Sequence, residues 1–581
     1  MTKLIYTNSK KCVIAGNVEI SIDSYIKDID IDKEVFNYLQ FLENQEIEGL
    51  RLEDFFLYNH VGMYCFERHA IYEKLKNIFY CFFVIERIKK EFGDEIIVHT
   101  DQIIMLSICT DIFNLKEGEQ CFYAQPLKAQ KKLKIKVGLK LILRNIIGIK
   151  GYLKFLINNK KDRYNFLSIS NVMNINMINI EGRSELVDTQ LGITIDALSK
   201  KYNMFNFQAL YNFNAIDKSL KYKKDYVTFE LFVLYKKLVG NKYIDKKLIE
   251  DNLEKLNFIN YTYKQYDLRS IINKYIFKDI KNRYLDDIKE LVCARNVIKK
   301  FNIKNCIVVD EGDRPREFIM AANMENVRTY ALQHGIISPM SPAYIMNSRY
   351  KDKIIPNCTF VWGEKYKKIL TENTNIYDDD NVKVVGQSRT DLLQQYINKE
   401  KKEDSKIKIL YATQYYKDIL EPATNILFKA LCLMEKEYEL IIKLHPADKY
   451  YHIYESLIEQ YNIKNVKILE DGDIYEIINW CDVVVSVHST VVIEGALLDK
   501  PSICILLPKY NDAGGFVRDG VSLGAKDEYD LKNYLEGIKN MSFENRFSEY
   551  IKNNFYKVDG KVTDRIVSII LKNDNMGGEK T

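Results

Sequence analysis

ELIIKLHPADK (residues 439–449) and DVVVSVHSTVVIEGALLDKPSICILL (residues 482–507) carry the densest signal in the chain. Each opens with a short apolar run that breaks into polar, turn-forming residues, so that together they read strand, loop, helix, strand, loop, helix, strand. LIIKL runs into His445-Pro446, and DVVVSV runs into His488-Ser489-Thr490. In an open parallel sheet, ligands bind beyond the carboxyl ends of the strands. A helix starting there turns its amide groups and positive dipole end toward a phosphate. The chain holds only seven histidines, and two of them stand at these strand ends. The stretch therefore predicts a nucleotide-binding half-domain.

The rest of the composition sets bounds. At 581 residues the chain exceeds what one hydrophobic core serves, so at least two domains are expected. Apolar content of 47% with 28% charged residues is ordinary for a globular protein, and a net charge of +5 names no nucleic-acid partner. No apolar run follows a basic start as in a signal peptide, and none approaches the roughly 20 residues that span a bilayer. A cytoplasmic location is expected. Eleven cysteines are scattered singly with no Cys-x-x-Cys pair, which points to reduced thiols rather than a disulfide framework or a zinc site.

Texture divides the chain into three parts. Residues 1–90 form an N-terminal extension with an amphipathic helix over 71–92; a buried strand, EIIVHT, follows at 95–100. Residues 91–398 form a Rossmann-like domain on the acceptor side, interrupted over about 120–285 by a Lys-rich helical insertion with few strand signals beyond NFLSIS. From Asn302 onward strands and helices alternate, which implies parallel sheets with crossover helices. KEKKEDSK (residues 399–406) is a solvated linker. Residues 407–570 form a second Rossmann-like domain, on the donor side of a cleft. Between Glu119 and Asp162 there is no acid, while Lys128, Lys140, Lys150, Lys161 and others recur among apolar residues. That pattern fits a helix lying in an anionic membrane interface. It equally fits a cationic helix packed on its own domain, and the composition leaves both open.

Candidate chemistry gathers at the strand ends. In the second domain Thr413 and Gln414 follow the first strand, without the Gly-rich pattern of a dinucleotide fold or a P-loop. Proline at 446 holds His445 at the crevice, where its imidazole can meet a phosphate oxygen, aided by Lys443 if that side chain turns inward. His488, Ser489 and Thr490 can bind phosphate or cap the following helix. Glu494, one turn in, can accept ribose hydroxyls, and Gly495 lets the helix pack closely on the sheet. In the first domain Asp310-Glu311-Gly312-Asp313 ends the strand NCIVV, and Asp310 or Glu311 is a candidate general base. Arg314 and Arg316 can instead neutralise those acids. Gln333-His334-Gly335 ends the next strand; His334 is a second candidate base, with Gln333 and Gly335 beside it in the cleft.

The ordered set Asp310-Glu311-Gly312, Gln333-His334-Gly335, His445-Pro446, Ser489-Thr490 and Glu494 resembles bacterial capsule and surface-polysaccharide glycosyltransferases of GT-B fold, over roughly residues 302–570. Polysialyltransferases are similar in the acidic-acidic-Gly, His-Pro and Ser-Ser/Thr motifs. Capsule Kdo transferases are similar in Gln-His-Gly, and the CDP-glycerol glycerophosphotransferases of teichoic acid synthesis in His-Pro and Ser-Thr. The resemblance implies a cytoplasmic or peripheral inverting transferase of capsule polysaccharide or other surface-glycan biosynthesis. It implies no resident cofactor: the nucleotide-sugar is a substrate, CMP-linked (sialic acid-like or Kdo) or else CDP-glycerol. The acceptor is a glycan or lipid-linked glycan. Of the Asp-x-Asp spacings, Asp28-Ile29-Asp30 and Asp378-Asp379-Asp380 lie in polar segments away from the motifs and Asp471-Gly472-Asp473 in a loop, so none is placed to hold a metal at the donor and metal independence is expected. A nucleotide-sugar 2-epimerase and a non-catalytic scaffold are the competing classes. A second acidic-acidic-Gly, Glu470-Asp471-Gly472, departs from the pattern, and the first 300 residues lie outside the resemblance.

Overall fold

The computed structural model describes residues 3–7, 11–14, 18–21, 23–100, 102–119, 130–158, 164–180, 183–211, 213–243, 246–309, 315–396, 405–445, 448–508 and 510–577. Two parallel sheets organise them. The second is six-stranded, with Ile407–Ala412, Tyr438–Lys443, Val466–Leu469, Val483–Ser486, Ser502–Ile505 and Leu523–Ala525 as its strands in chain order. Numbered along the chain, their spatial order is 3-2-1-4-5-6, and every pairing is parallel. This is the doubly wound order, whose switch point lies between the first and fourth strands. VVVS at the switch is buried throughout, as expected of a strand covered on both faces.

The first sheet repeats that order. Its seven strands, Asn165–Asn171, Asn203–Ala209, Val227–Thr228, Ile303–Val309, Arg328–Leu332, Cys358–Val361 and Val382–Val384, stand in the order 3-2-1-4-5-6-7, again all parallel. Two such sheets, with helices on their faces, make an α/β protein of the GT-B kind.

The expected Lys-rich helical insertion over about 120–285 is corrected here, because strands one to three of the first sheet lie inside it. The first of them is the NFLSIS already read as a strand, while the second was hidden by polar residues that the fold buries in partnered form. Asn203 donates to Asn165 Oδ1 (2.9 Å), and Gln208 Oε1 accepts from Arg144 (3.1 Å) and Ser219 (2.6 Å). EIIVHT also lands elsewhere than beside the first sheet. Its strand Ile96–Thr100 pairs in parallel with Lys3–Thr7 in a separate four-stranded sheet, so the N-terminal unit reaches past residue 90. The helix Tyr64–Phe92 is longer than the periodicity predicts and buries most of its circumference. Arg68 and Arg316 tie this unit to the first sheet: Arg68 Nη1 donates to Pro342 O (2.5 Å) and Arg316 Nη1 to Cys65 O (2.8 Å).

The C-terminal end crosses back. Val562, Ile566 and Ile570 of the last helix, Val562–Gly577, join a core with Ile307, Tyr330 and Phe360 of the first sheet. Asp391 holds the start of that helix, accepting from Val562 N (2.9 Å) and Thr563 N (2.8 Å). The helix before it, Glu544–Phe555, lies so close to Gly363 that a Cβ there would sit 2.3 Å from Asn553 O. Loops at the carboxyl ends of the first sheet are thus among those that touch the second unit.

Candidate functional site

At the switch point of the second sheet, Thr413 follows strand one and is the hinge of a polar cluster. Its amide donates to Lys443 O (3.1 Å), and its hydroxyl donates to Asp448 Oδ2 (3.0 Å) and accepts from His445 N (3.0 Å). Asp448 also accepts from Tyr454 Oη (2.9 Å) and Tyr450 N (2.9 Å). The loop after strand two is therefore pinned to the loop after strand one. His445 emerges from this cluster half-buried, its ring 4.8 Å from that of Tyr415. Burial pushes its imidazole below the usual histidine value, opposed by Asp448 and reinforced by Lys443. A neutral imidazole at neutral pH follows, able to donate one hydrogen bond and accept another. The condition set on Lys443 is not met: its ammonium donates to Leu444 O (3.0 Å) and Glu470 O (2.7 Å).

Beyond strand four, His488 is half-buried with its ring 5.8 Å from Tyr510, and burial lowers its proton affinity too. Ser489 Oγ accepts from Val491 N (3.3 Å), opening the helix Val491–Leu497, while Thr490 is exposed and makes no side-chain cap. Gly495 does pack closely: a Cβ would meet Val484 Cγ2 at 3.2 Å. Glu494 is buried, and Arg389 Nη1 sits 3.0 Å from its Oε1. Burial raises its carboxyl above the usual range against the pull of Arg389. One oxygen expected to meet a ribose is therefore engaged by an arginine from the segment that follows the first sheet.

On the first sheet the picture is mixed. Gln333 is buried and satisfied: its Nε2 donates to Gly335 O (2.7 Å), its Oε1 accepts from Trp362 N (2.9 Å), and its carbonyl accepts from Trp362 Nε1 (3.0 Å). It holds the loop that presents His334, whose side chain is exposed. A Cβ at Gly335 would meet open space. Arg316 grips the carbonyls of Cys65 and Ala343. Asp310, Glu311, Gly312, Asp313, Arg314 and Pro446 lie outside the described residues. Glu470-Asp471-Gly472 is a loop whose successor, Asp473, caps the helix Ile474–Trp480 through Tyr475 N (2.9 Å).

Several residues gain importance only from the structure. Asp448, Tyr415, Tyr510 and Arg389 all converge on the expected set, yet none sits at a strand end. Two glutamines stand out. Among the described residues, Gln387 is fully buried with neither amide atom paired, and the Gln414 amide nitrogen, next to Thr413, is buried and equally unpaired. Buried amides of this kind call for a ligand or water partner. Only GQSRT and ATQYY, read as loops bearing long polar side chains, could have marked them. Among the described residues no group of three His, Cys, Asp or Glu side chains is placed to hold a metal ion.

Comparison with known proteins adds a family. A model of the CDP-Glycerol:Poly(glycerophosphate) glycerophosphotransferase family matches residues 324–572, enclosing His334 to Glu494. An uncharacterized protein of Methanocaldococcus jannaschii is 31% identical over 182 residues, 30% of this chain and 31% of that protein. The match thus spans about a third of that relative's length. Among solved structures, the UDP-GlcNAc 2-epimerase of Neisseria meningitidis bound to UDP-GlcNAc shows a TM-score of 0.43 at 12% identity, covering 70% of this chain and 100% of that one. The wall teichoic acid polymerase TagF shows 0.39 at 11%, covering 78% and 100%. The fold assignment rests on the strand orders above, not on these loose likenesses. The family match covers residues 324–572, less than half of the chain.

Proposed function

We propose that the protein transfers glycerophosphate from CDP-glycerol to a hydroxyl of a glycan or lipid-linked glycan acceptor, at the cytoplasmic face of a membrane. The observation that carries this reading is the family match across residues 324–572, which encloses both groups of strand-end histidines. The acceptor oxygen attacks the glycerol-bearing phosphorus, the bond from that phosphorus to the CMP oxygen breaks, and CMP leaves with the electron pair. His334, on the exposed loop pinned by Gln333, takes the acceptor proton; Asp310 and Glu311 are the other candidate bases. His445 and His488 meet the phosphates, with Ser489 and Thr490 beside them, and Pro446 fixes the loop that carries His445. Donors placed where charge develops act in the transition state, and removing one costs about 10²- to 10³-fold in turnover. In this reading no metal takes part.

A second reading, transfer of a sugar from a CMP-linked donor, is favoured by the spelling Gln333-His334-Gly335, which resembles the Kdo-type enzymes. Turnover measured with CDP-glycerol and with CMP-sugars separates the two. Release of CMP from CDP-glycerol in the presence of acceptor, reduced about 10²-fold or more in His445→Ala, is the expected result. Turnover of CMP-sugars alone moves the assignment to glycosyl transfer. Conversion of a UDP-sugar without any acceptor overturns both in favour of an epimerase.

A further inference from the structure

The helix Gln130–Asn158 is built inside out. Its inward face sets a buried arginine and two close-packed glycines beside Phe155, which packs on Phe205 and Phe301. Arg144 is fully buried and donates to Ser219 Oγ (2.8 Å) and Gln208 O (2.7 Å). Gly148 and Gly151 bring the backbone against the edge strand: added Cβ atoms would lie 2.6 Å from Thr228 Oγ1 and 2.1 Å from Tyr226 O. The outward face is apolar. Leu139, Ile142, Ile146, Ile149, Leu153 and Ile157 are each between 45% and 78% exposed. At about 100° per residue they share a stripe about 80° wide and roughly 27 Å long. A surface helix ordinarily turns such a stripe to the core. Here the core side is already filled, and the stripe faces water, as at a membrane or partner surface.

Charge selects the occupant. The helix carries seven lysines and no acid. Lys150 is exposed at the margin of the stripe, while Lys140 reaches back to Asp217 (2.6 Å) and Lys154 to Asp225. A second copy of the chain, docked through a two-fold axis, would set this lysine-rich helix against itself. A bilayer with anionic headgroups takes the apolar stripe into its acyl boundary and the lysines at its surface. Among the described residues no helix is long and apolar enough to cross a membrane, so the helix lies in the interface plane. We propose that the outward face of Gln130–Asn158 seats the protein on an anionic lipid surface. The seat is at the edge of the first sheet formed by Val227–Thr228, at the opposite end from Val382–Val384, where the chain leaves toward the second unit.

The test uses the full chain without donor, so its outcome is separate from that of the transfer reading. Wild-type protein is sedimented with vesicles of phosphatidylcholine alone or mixed with phosphatidylglycerol, beside Ile146→Asp/Leu153→Asp and Lys150→Glu. Expected is association with the anionic vesicles, about tenfold weaker in the double variant and measurably weaker in Lys150→Glu, with thermal midpoints unchanged. Absence of vesicle binding by the wild type overturns the proposal, as does equal binding by the double variant. A concentration-dependent dimer that the double variant abolishes, without lipid binding, overturns it in favour of an interface between copies.

Discussion

The two parallel sheets share one strand order and use it differently. At the ends of the second sheet, side chains pin loops and still leave ring faces and amides open: Thr413 and Asp448 hold His445 half-buried, and Gln414 keeps an unpaired amide. At the ends of the first sheet, Gln333 spends its whole amide on Trp362 and Gly335, and the next residue, His334, stands out in solvent. One sheet end is built as a receptacle with half-buried imidazoles. The other is a rigid ledge presenting an exposed one. On the proposed transfer reading, the same topology separates two tasks, holding a charged donor and meeting an acceptor that arrives from outside.

The two units are also held differently, and the tie between them is where the comparison breaks most readily. Arg389 projects from the first unit onto Glu494 of the second. Arg389→Met leaves a buried carboxylate unpaired, which costs about 3 kcal/mol, the lower end for a broken buried pair because Arg389 is partly exposed. Calorimetry should show the second unit melting earlier, with the loss shrinking at acid pH as Glu494 takes a proton. An unchanged midpoint would mean that the pair does not hold the units together. Gly363→Ala attacks the same boundary from the packing side, driving a methyl into the backbone of Asn553 and Asn554. A forced shift of that size costs about 1–3 kcal/mol. Limited proteolysis should then cut near the helix Glu544–Phe555 before it cuts the first sheet.

The smallest effect concerns pH. Burial depresses the proton affinity of His445 and His488, so as pH falls through the ordinary value of 6.5 the unfolded chain takes up their protons first. Stability from this source is present above that pH and lost below it. Thermal midpoints taken from pH 7.5 to 5.5 should fall less in a His445→Gln/His488→Gln variant than in the wild type. An equal fall in both would place the acid sensitivity elsewhere, and the contrast between the two sheet ends would lose its electrostatic side.

Legibility followed burial chemistry. Where a strand is apolar and ends in polar residues, as in LIIKLH and VVVSVHS, both the element and its exposed end could be read locally. Asn203–Ala209 could not, because Asn203, Asn206 and Gln208 look like loop residues until their partners are in place. Gln333 looked like a ligand-facing side chain and proved to be a brace for Trp362. Glu494 looked free and proved to be paired across units.

What the amino-acid order determined by itself was the alternation of strands and helices, the placing of His334, His445, His488, Ser489 and Thr490 at or just beyond strand ends, and the lysine-rich, acid-free character of residues 130–158. These depend on period, turn chemistry and composition, all of which are local. Only the tertiary structure decided that the second and third strands of the first sheet lie within 203–228, that the last helix returns to that sheet, and that the helix Gln130–Asn158 turns Gly148, Gly151 and Arg144 inward. Those outcomes depend on which buried donor finds which acceptor and which backbone fits against which, and such partners are set by residues far apart along the chain.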